Sequence, residues 1–154
     1  MDTEAPESTR RHGTRLVQVG AGLFLLALFV GLAIPAFTLP RLGLSTHLLG
    51  LMQGMFLMVA GLLWPRLKLG RAASSVGFGL AIYGCLAPWT ANLCGAIWGA
   101  GGAMVPLAAG GARGTVLQEG LIKALLVSGA LCLIGAAGLL LWGLRGSERP
   151  DARQ

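Results

Sequence analysis

The sequence is short of charge. Lysine, arginine, aspartate and glutamate together make up 12% of its 154 residues, against about 25% in an ordinary soluble domain. Acids are scarcest, six against twelve bases. So few charged side chains cannot cover a water-soluble surface. With 55% hydrophobic residues and a mean hydropathy of +0.72, the chain falls in the membrane class. Cysteine is also sparse. Cys85, Cys94 and Cys132 each lie inside an apolar run, without a CxxC or a metal-ligand spacing. They read as small hydrophobes in helices and give no disulfide framework. HExxH, GxSxG and any cysteine–histidine arrangement are missing, which leaves no hydrolase nucleophile. The stretch "GAGGAMVPLAAGGARGT", residues 99–115, lacks the GK[ST] ending and the preceding strand of a phosphate-binding loop. The net charge of +6 comes from short basic clusters beside apolar runs. No RNP-like aromatic motif or zinc-finger spacing goes with them, so no nucleic-acid partner is expected.

What the chain does have is four long apolar runs, at about residues 16–37, 44–64, 72–98 and 116–144. Each reaches the roughly 20 residues needed to cross ~30 Å of hydrocarbon. Open strands cannot satisfy their backbone in lipid, so the runs are predicted to be helices. The expected class is therefore an all-α membrane protein with four transmembrane helices. Residues 1–15 are expected to form a disordered cytoplasmic tail with a solvated His12, residues 16–145 the transmembrane domain, and residues 146–154 a second cytoplasmic tail. The pair Arg10–Arg11 is not read as a twin-arginine signal, because the following run is too long for a signal segment. Nine basic residues lie on one side of such a topology: Arg10, Arg11 and Arg15, then Arg66, Lys68 and Arg71, then Arg145, Arg149 and Arg153. Only Arg41 and Arg113 occupy connections on the other side. Both termini are accordingly expected in the cytoplasm of a multi-pass protein of a bacterial-type inner membrane.

Several polar residues fall in the outer halves of the last three spans. His47 and Gln53 are on the second, Asn92 on the third, and Gln118, Glu119 and Lys123 on the fourth. A polar side chain inside a span is costly and faces a partner or a cavity, so these residues suggest a shared pocket. On the second span Gly50, Gly54 and Gly61 lie within about 60° of His47 at 100° per residue. Two readings stay open. The Gly50-x-x-x-Gly54 spacing brings helix backbones together, or the bare side receives a flat ligand such as haem, held by the imidazole. Gln53 either bonds a neighbouring helix or binds a polar substrate atom. Glu119 and Lys123, at i,i+4, read as an interfacial ion pair or as groups ordering the pocket. Tyr83 is deep in the third span and needs a hydrogen-bond partner or a substrate oxygen. Trp64, Trp98 and Trp142 read as interface anchors, with Trp98 also a possible pocket wall. Pro88 is expected to kink the third span and open space beside Trp89 and Asn92. With one intramembrane histidine and few acids, catalysis would require a cofactor. A non-catalytic four-helix protein, a small-molecule carrier or an assembly partner, is the alternative.

The blocks "HLLGLMQGMFLMVAGLLWPRLKLG" (residues 47–70), "YGCLAPW" (83–89) and "GAIWGAGGAMVPLAAGG" followed by "QEGLI" resemble the membrane-bound hydroxylaminobenzene mutases. A weaker resemblance extends to the styrene oxide isomerases. The resemblance covers roughly residues 15–145. It implies an isomerase that moves a hydroxyl from nitrogen to the ring of an arylhydroxylamine, giving a 2-aminophenol. It further implies a homotrimer with haem b, His47 as the axial iron ligand, Gly50 and Gly54 beside the macrocycle, and ferric iron as a Lewis acid. Gln53, Tyr83 and Asn92 would line the substrate side, with Trp89, Trp98, Gln118 and Glu119 as further pocket candidates. An epoxide is the alternative substrate. The chain departs from the family pattern at Gln53, where asparagine is usual, at Pro88, which replaces an asparagine before tryptophan, and at Ala21-Gly22, in place of a His-Gly pair.

Overall fold

The structure, a computed structural model, describes residues 7–145. The expected C-terminal tail, 146–154, lies outside the described residues, as do residues 1–6. Four long helices dominate: α1 (Glu7–Ala33), α2 (Pro40–Leu63), α3 (Arg71–Trp98) and α5 (Val116–Arg145). A short helix, α4 (Pro106–Ala109), interrupts the last connection. All four long helices are long and apolar enough to cross a membrane. Several boundaries follow from local chemistry. Pro40 opens α2 and Pro106 opens α4, positions where the missing N–H costs nothing. Gly99 ends α3 in the left-handed conformation, φ 71°, which a residue with a Cβ resists. Thr115 and Gln118 form a reciprocal cap on α5: the Thr115 N–H donates to Gln118 Oε1 at 2.8 Å, and the Gln118 N–H to Thr115 Oγ1 at 3.3 Å.

Two hairpins make up the bundle. α1 packs on α2, α3 packs on α5, and a lighter α2–α3 contact joins them. The α1–α2 seam is set by small residues spaced by seven on both helices. A Cβ on Gly13 would lie 2.7 Å from the Gly61 carbonyl oxygen, and one on Gly20 would lie 2.7 Å from that of Gly54. One more step of seven brings Ala27 opposite His47, whose Nδ1 is 2.7 Å from the Ala27 carbonyl oxygen. A seven-residue period keeps all three rungs on one seam, and the absent side chains let the backbones meet. The α3–α5 seam works similarly: a Cβ on Gly84 would lie 2.7 Å from the Leu133 nitrogen, and one on Gly129 would lie 2.5 Å from the Pro88 ring.

Three expectations need correction here. Residues 7–15 form the start of α1 and not a disordered tail, and Gly13 meets α2 there. His12 is consequently not solvated; its ring stacks on Phe78 with centroids 4.5 Å apart. Trp64 is not an interface anchor. It is 1% exposed, and its indole N–H donates to Ser74 Oγ at 3.0 Å. Trp142 is 69% exposed at the end of α5, as an anchor should be.

Candidate active site

The site begins with the third rung. A carbonyl oxygen only accepts, so His47 Nδ1 carries the proton it donates to Ala27. In the neutral ring that leaves the other nitrogen, Nε2, with its lone pair. Gly31 makes this placement possible. A Cβ there would lie 2.6 Å from Nδ1 and 2.8 Å from Cε1, so the imidazole lies flat against the bare α1 backbone. His47 is half-buried and sits about 10 Å along α2 from its start, at 1.5 Å per residue.

Further in, α2 meets α3 around Gly50. A Cβ on Gly50 would lie 2.5 Å from Trp89 Nε1 and 2.7 Å from the Ala27 Cβ. Gly50 thus lies at the junction of α1, α2 and α3. Gln53, about 60° round α2 from Gly50, is 5% exposed; Trp89 and Asn92 are each 8% exposed. Gln53 Oε1, Trp89 Nε1 and Asn92 Oδ1 are all buried without a hydrogen-bond partner. Each such atom costs about 1–3 kcal/mol, and buried polar atoms in native proteins are nearly always satisfied. These three atoms, one on α2 and two on α3, are available to a polar partner.

The remaining candidates do not join this cluster. Pro88 lies within an α3 that runs on to Trp98, and its ring packs against Gly129 of α5; Trp89 and Asn92 beside it are buried. Tyr83 is nine residues from Asn92, hence about 180° round α3. It is 44% exposed, and its hydroxyl is 2.8 Å from Ser128 Oγ on α5. Trp98 is largely exposed at the last turn of α3. Gln118 is occupied in capping α5. Glu119 makes no ion pair with Lys123. Its carboxylate instead accepts backbone N–H bonds from Gly101 (2.8 Å), Gly114 (2.9 Å) and Ala103 (3.2 Å), and so pins the glycine-rich connection onto the first turn of α5. Gly54 is filled by the Gly20 carbonyl of α1, so of the two readings of the bare side, packing accounts for Gly54 and Gly61. Gly31 and Ala27, which orient the histidine, were not anticipated; a small residue seven positions beyond Gly20 is the signal that points to Ala27.

Comparison with known proteins decides the family. The styrene oxide isomerase family model matches residues 12–145. This chain belongs to the styrene oxide isomerase family. It is 48% identical over 145 residues to hydroxylaminobenzene mutase HabB of Ectopseudomonas oleovorans, covering 94% of this chain and 88% of the relative. It is 42% identical over 131 residues to hydroxylaminobenzene mutase HabA of the same organism, covering 85% and 97%. No solved structure matches. Both relatives are named as mutases, that is, as isomerases.

Proposed function

We propose that the chain is a membrane-embedded isomerase that converts an arylhydroxylamine to a 2-aminophenol, with haem b held by His47. The observation that carries the reading is the set of orphaned polar atoms at the α2–α3 contact, one rung away from an oriented histidine. An arylhydroxylamine offers N–H and O–H donors and an oxygen acceptor. Gln53 Oε1 and Asn92 Oδ1 are unused acceptors, and the Trp89 indole N–H is an unused donor. The complement is chemical, and binding would require the α2–α3 contact to part, since all three atoms are sealed.

The histidine meets the requirement of an axial ligand. Its Nδ1–H is fixed by a backbone carbonyl, the partner that metal-bound histidines commonly use to set tautomer and ring orientation. Gly31 provides the flat surface against which the ring is held. Bound at Nε2, ferric haem would supply Lewis acidity toward the hydroxylamine oxygen. Gly54 does not belong to its seat. Rearrangement within one molecule needs no reductant, so the residues' task is to orient the substrate and exclude water. We further infer a homo-oligomer, a trimer by family resemblance, with both termini in the cytoplasm, the orientation favoured by the basic residues.

Phenylhydroxylamine incubated with membranes carrying the protein, without added reductant, should yield 2-aminophenol. Styrene oxide run in parallel addresses the competing substrate that the family's description raises; the identities of 48% and 42% to the two mutases favour the hydroxylamine. Turnover of the epoxide alone would overturn the substrate assignment.

A further inference from the structure

The end of the bundle where α1 begins carries a feature that the isomerase reading does not use. Arg10, Arg11 and Arg15 surround a basin of about 430 Å³ whose lining also includes Thr14 and Gln18. Glu7, also on its rim, is the only acid at this end among the described residues, and it is engaged by Arg11. Both partners of that pair are exposed, so it neutralises Arg11 only weakly. Arg15 is exposed and makes no hydrogen bond or ion pair among the described residues. Arg66 and Lys68, in the connection between α2 and α3, and Arg71, which opens α3, reinforce the positive field at the same end.

A second hollow, of about 300 Å³, adjoins the basin and shares Arg10 and Thr14 with it. It runs over the α1–α2 seam at Gly13 and Gly61 and is walled by Val17, Leu62 and Pro65. At its floor the first rung is closed, since a Cβ on Gly61 would lie 2.6 Å from the Gly13 carbonyl oxygen and 2.8 Å from Val17, so the hollow is a surface groove beside the rung. Leu62 is 69% exposed at its edge. A cationic basin at the membrane boundary therefore runs into an apolar groove that points along the helices. A free anion would need only the basin. A molecule with a phosphate head and a hydrocarbon tail uses both.

We propose that this end of the α1–α2 hairpin is a binding site for an anionic phospholipid, with the phosphate among the α1 arginines and an acyl chain along the seam at Leu62. Arginine forks match phosphate oxygens, and basic groups beside a bilayer attract anionic headgroups. The site lies outside the candidate active site and stands or falls independently of the isomerase reading.

Native mass spectrometry of the detergent-purified protein, titrated with phosphatidylglycerol or phosphatidylcholine of identical acyl chains, tests this. The expected result is at least tenfold tighter retention of phosphatidylglycerol. Arg10→Gln with Arg15→Gln should weaken phosphatidylglycerol binding roughly 25-fold, about fivefold per arginine, and should collapse the preference. Leu62→Trp fills the groove from its exposed edge, keeps every charge, and should also weaken retention. The three substituted side chains are exposed, and an unchanged circular dichroism spectrum controls for folding. Equal binding of the two lipids overturns the proposal, as does a preference that survives loss of both arginines. Displacement of the lipid by millimolar inorganic phosphate, with no effect of Leu62→Trp, would reassign the basin to a free anion.

Discussion

Gly31→Ala tests the histidine without touching it. The new Cβ would lie 2.6 Å from His47 Nδ1 and 2.8 Å from Cε1, closer than such atoms approach, so the ring must move. Its flexible side chain can swing, but only by giving up the 2.7 Å bond to the Ala27 carbonyl. The lost hydrogen bond costs about 0.5–1.5 kcal/mol, too little to separate two helices that also meet at Gly13–Gly61 and Gly20–Gly54. The fold should survive and the thermal midpoint should fall by only a few degrees. The larger effect is on the metal. Removing the partner that orients a ligating histidine costs about 10–100-fold in metal affinity or activity. The assay is Soret absorbance per protein after purification in mild detergent, with haem titrated back to obtain its affinity. Gly22→Ala is the control, since nothing lies within 4 Å of a Cβ there. If Gly31→Ala binds haem and turns over substrate as Gly22→Ala does, the α1 backbone does not orient the histidine and the argument from the third rung fails.

Other outcomes follow from the same contacts. His47→Ala should abolish the Soret band while leaving the helix content intact, because the Gly–Gly rungs remain; an unchanged spectrum would remove His47 as ligand. Gly54→Val should lower thermal stability by about 1–3 kcal/mol through overpacking, since its Cβ would lie 2.8 Å from the Gly20 carbonyl oxygen; thermal unfolding followed by circular dichroism reads this, and a wild-type midpoint would contradict the seam. Glu119→Gln should accelerate amide hydrogen exchange at Gly101, Ala103 and Gly114 while leaving the α1–α2 contact unaffected, because the neutral amide is a poorer acceptor than the carboxylate; unaltered exchange at all three would refute the clamp.

The four-helix class was legible because each apolar run exceeds the membrane span and because backbone groups in lipid leave few alternatives. The packed use of glycine on α2 was legible too, but only by half. Gly54 and Gly61 share a face with His47, yet their partners Gly20 and Gly13 were not seen as such. Gly13 lies among "TRRHGTR", a polar stretch that composition alone assigns to a tail. In the structure it sits in α1 and meets α2 at Gly61, a tertiary contact that local hydropathy does not carry. The same blind spot affects Trp64. A tryptophan near a span end usually marks the interface, but Ser74, at the start of the next helix, supplies the hydrogen bond that lets this one be buried. Glu119 and Lys123 had the spacing of an ion pair, whereas backbone N–H groups of the glycine-rich connection took the carboxylate. Sequence spacing reports which side chains are neighbours on one helix; it is silent on a loop that folds back.

Tyr83 poses the remaining question, because its position conflicts with a role beside His47 in one chain. It lies about 180° round α3 from Asn92 and about 120° from Trp89, the residue that meets Gly50 of α2, and it bonds Ser128 of α5. No rotamer change crosses a helix. If the tyrosine acts on a substrate held near His47, the histidine must belong to a different copy of the chain. Two variants separate the possibilities. Tyr83→Phe removes the hydroxyl and keeps the ring, and should cost little stability because Ser128 also bonds the Ala124 carbonyl oxygen at 2.6 Å. Should that variant be inactive, co-expressing it with His47→Ala becomes decisive. In a randomly mixed oligomer about one site in four would then pair an intact histidine from one chain with an intact tyrosine from another, and activity should return to that extent. A mixture as inactive as its components would show that the two residues must come from the same chain, and that the separation across α3 is not the arrangement in which the reaction occurs.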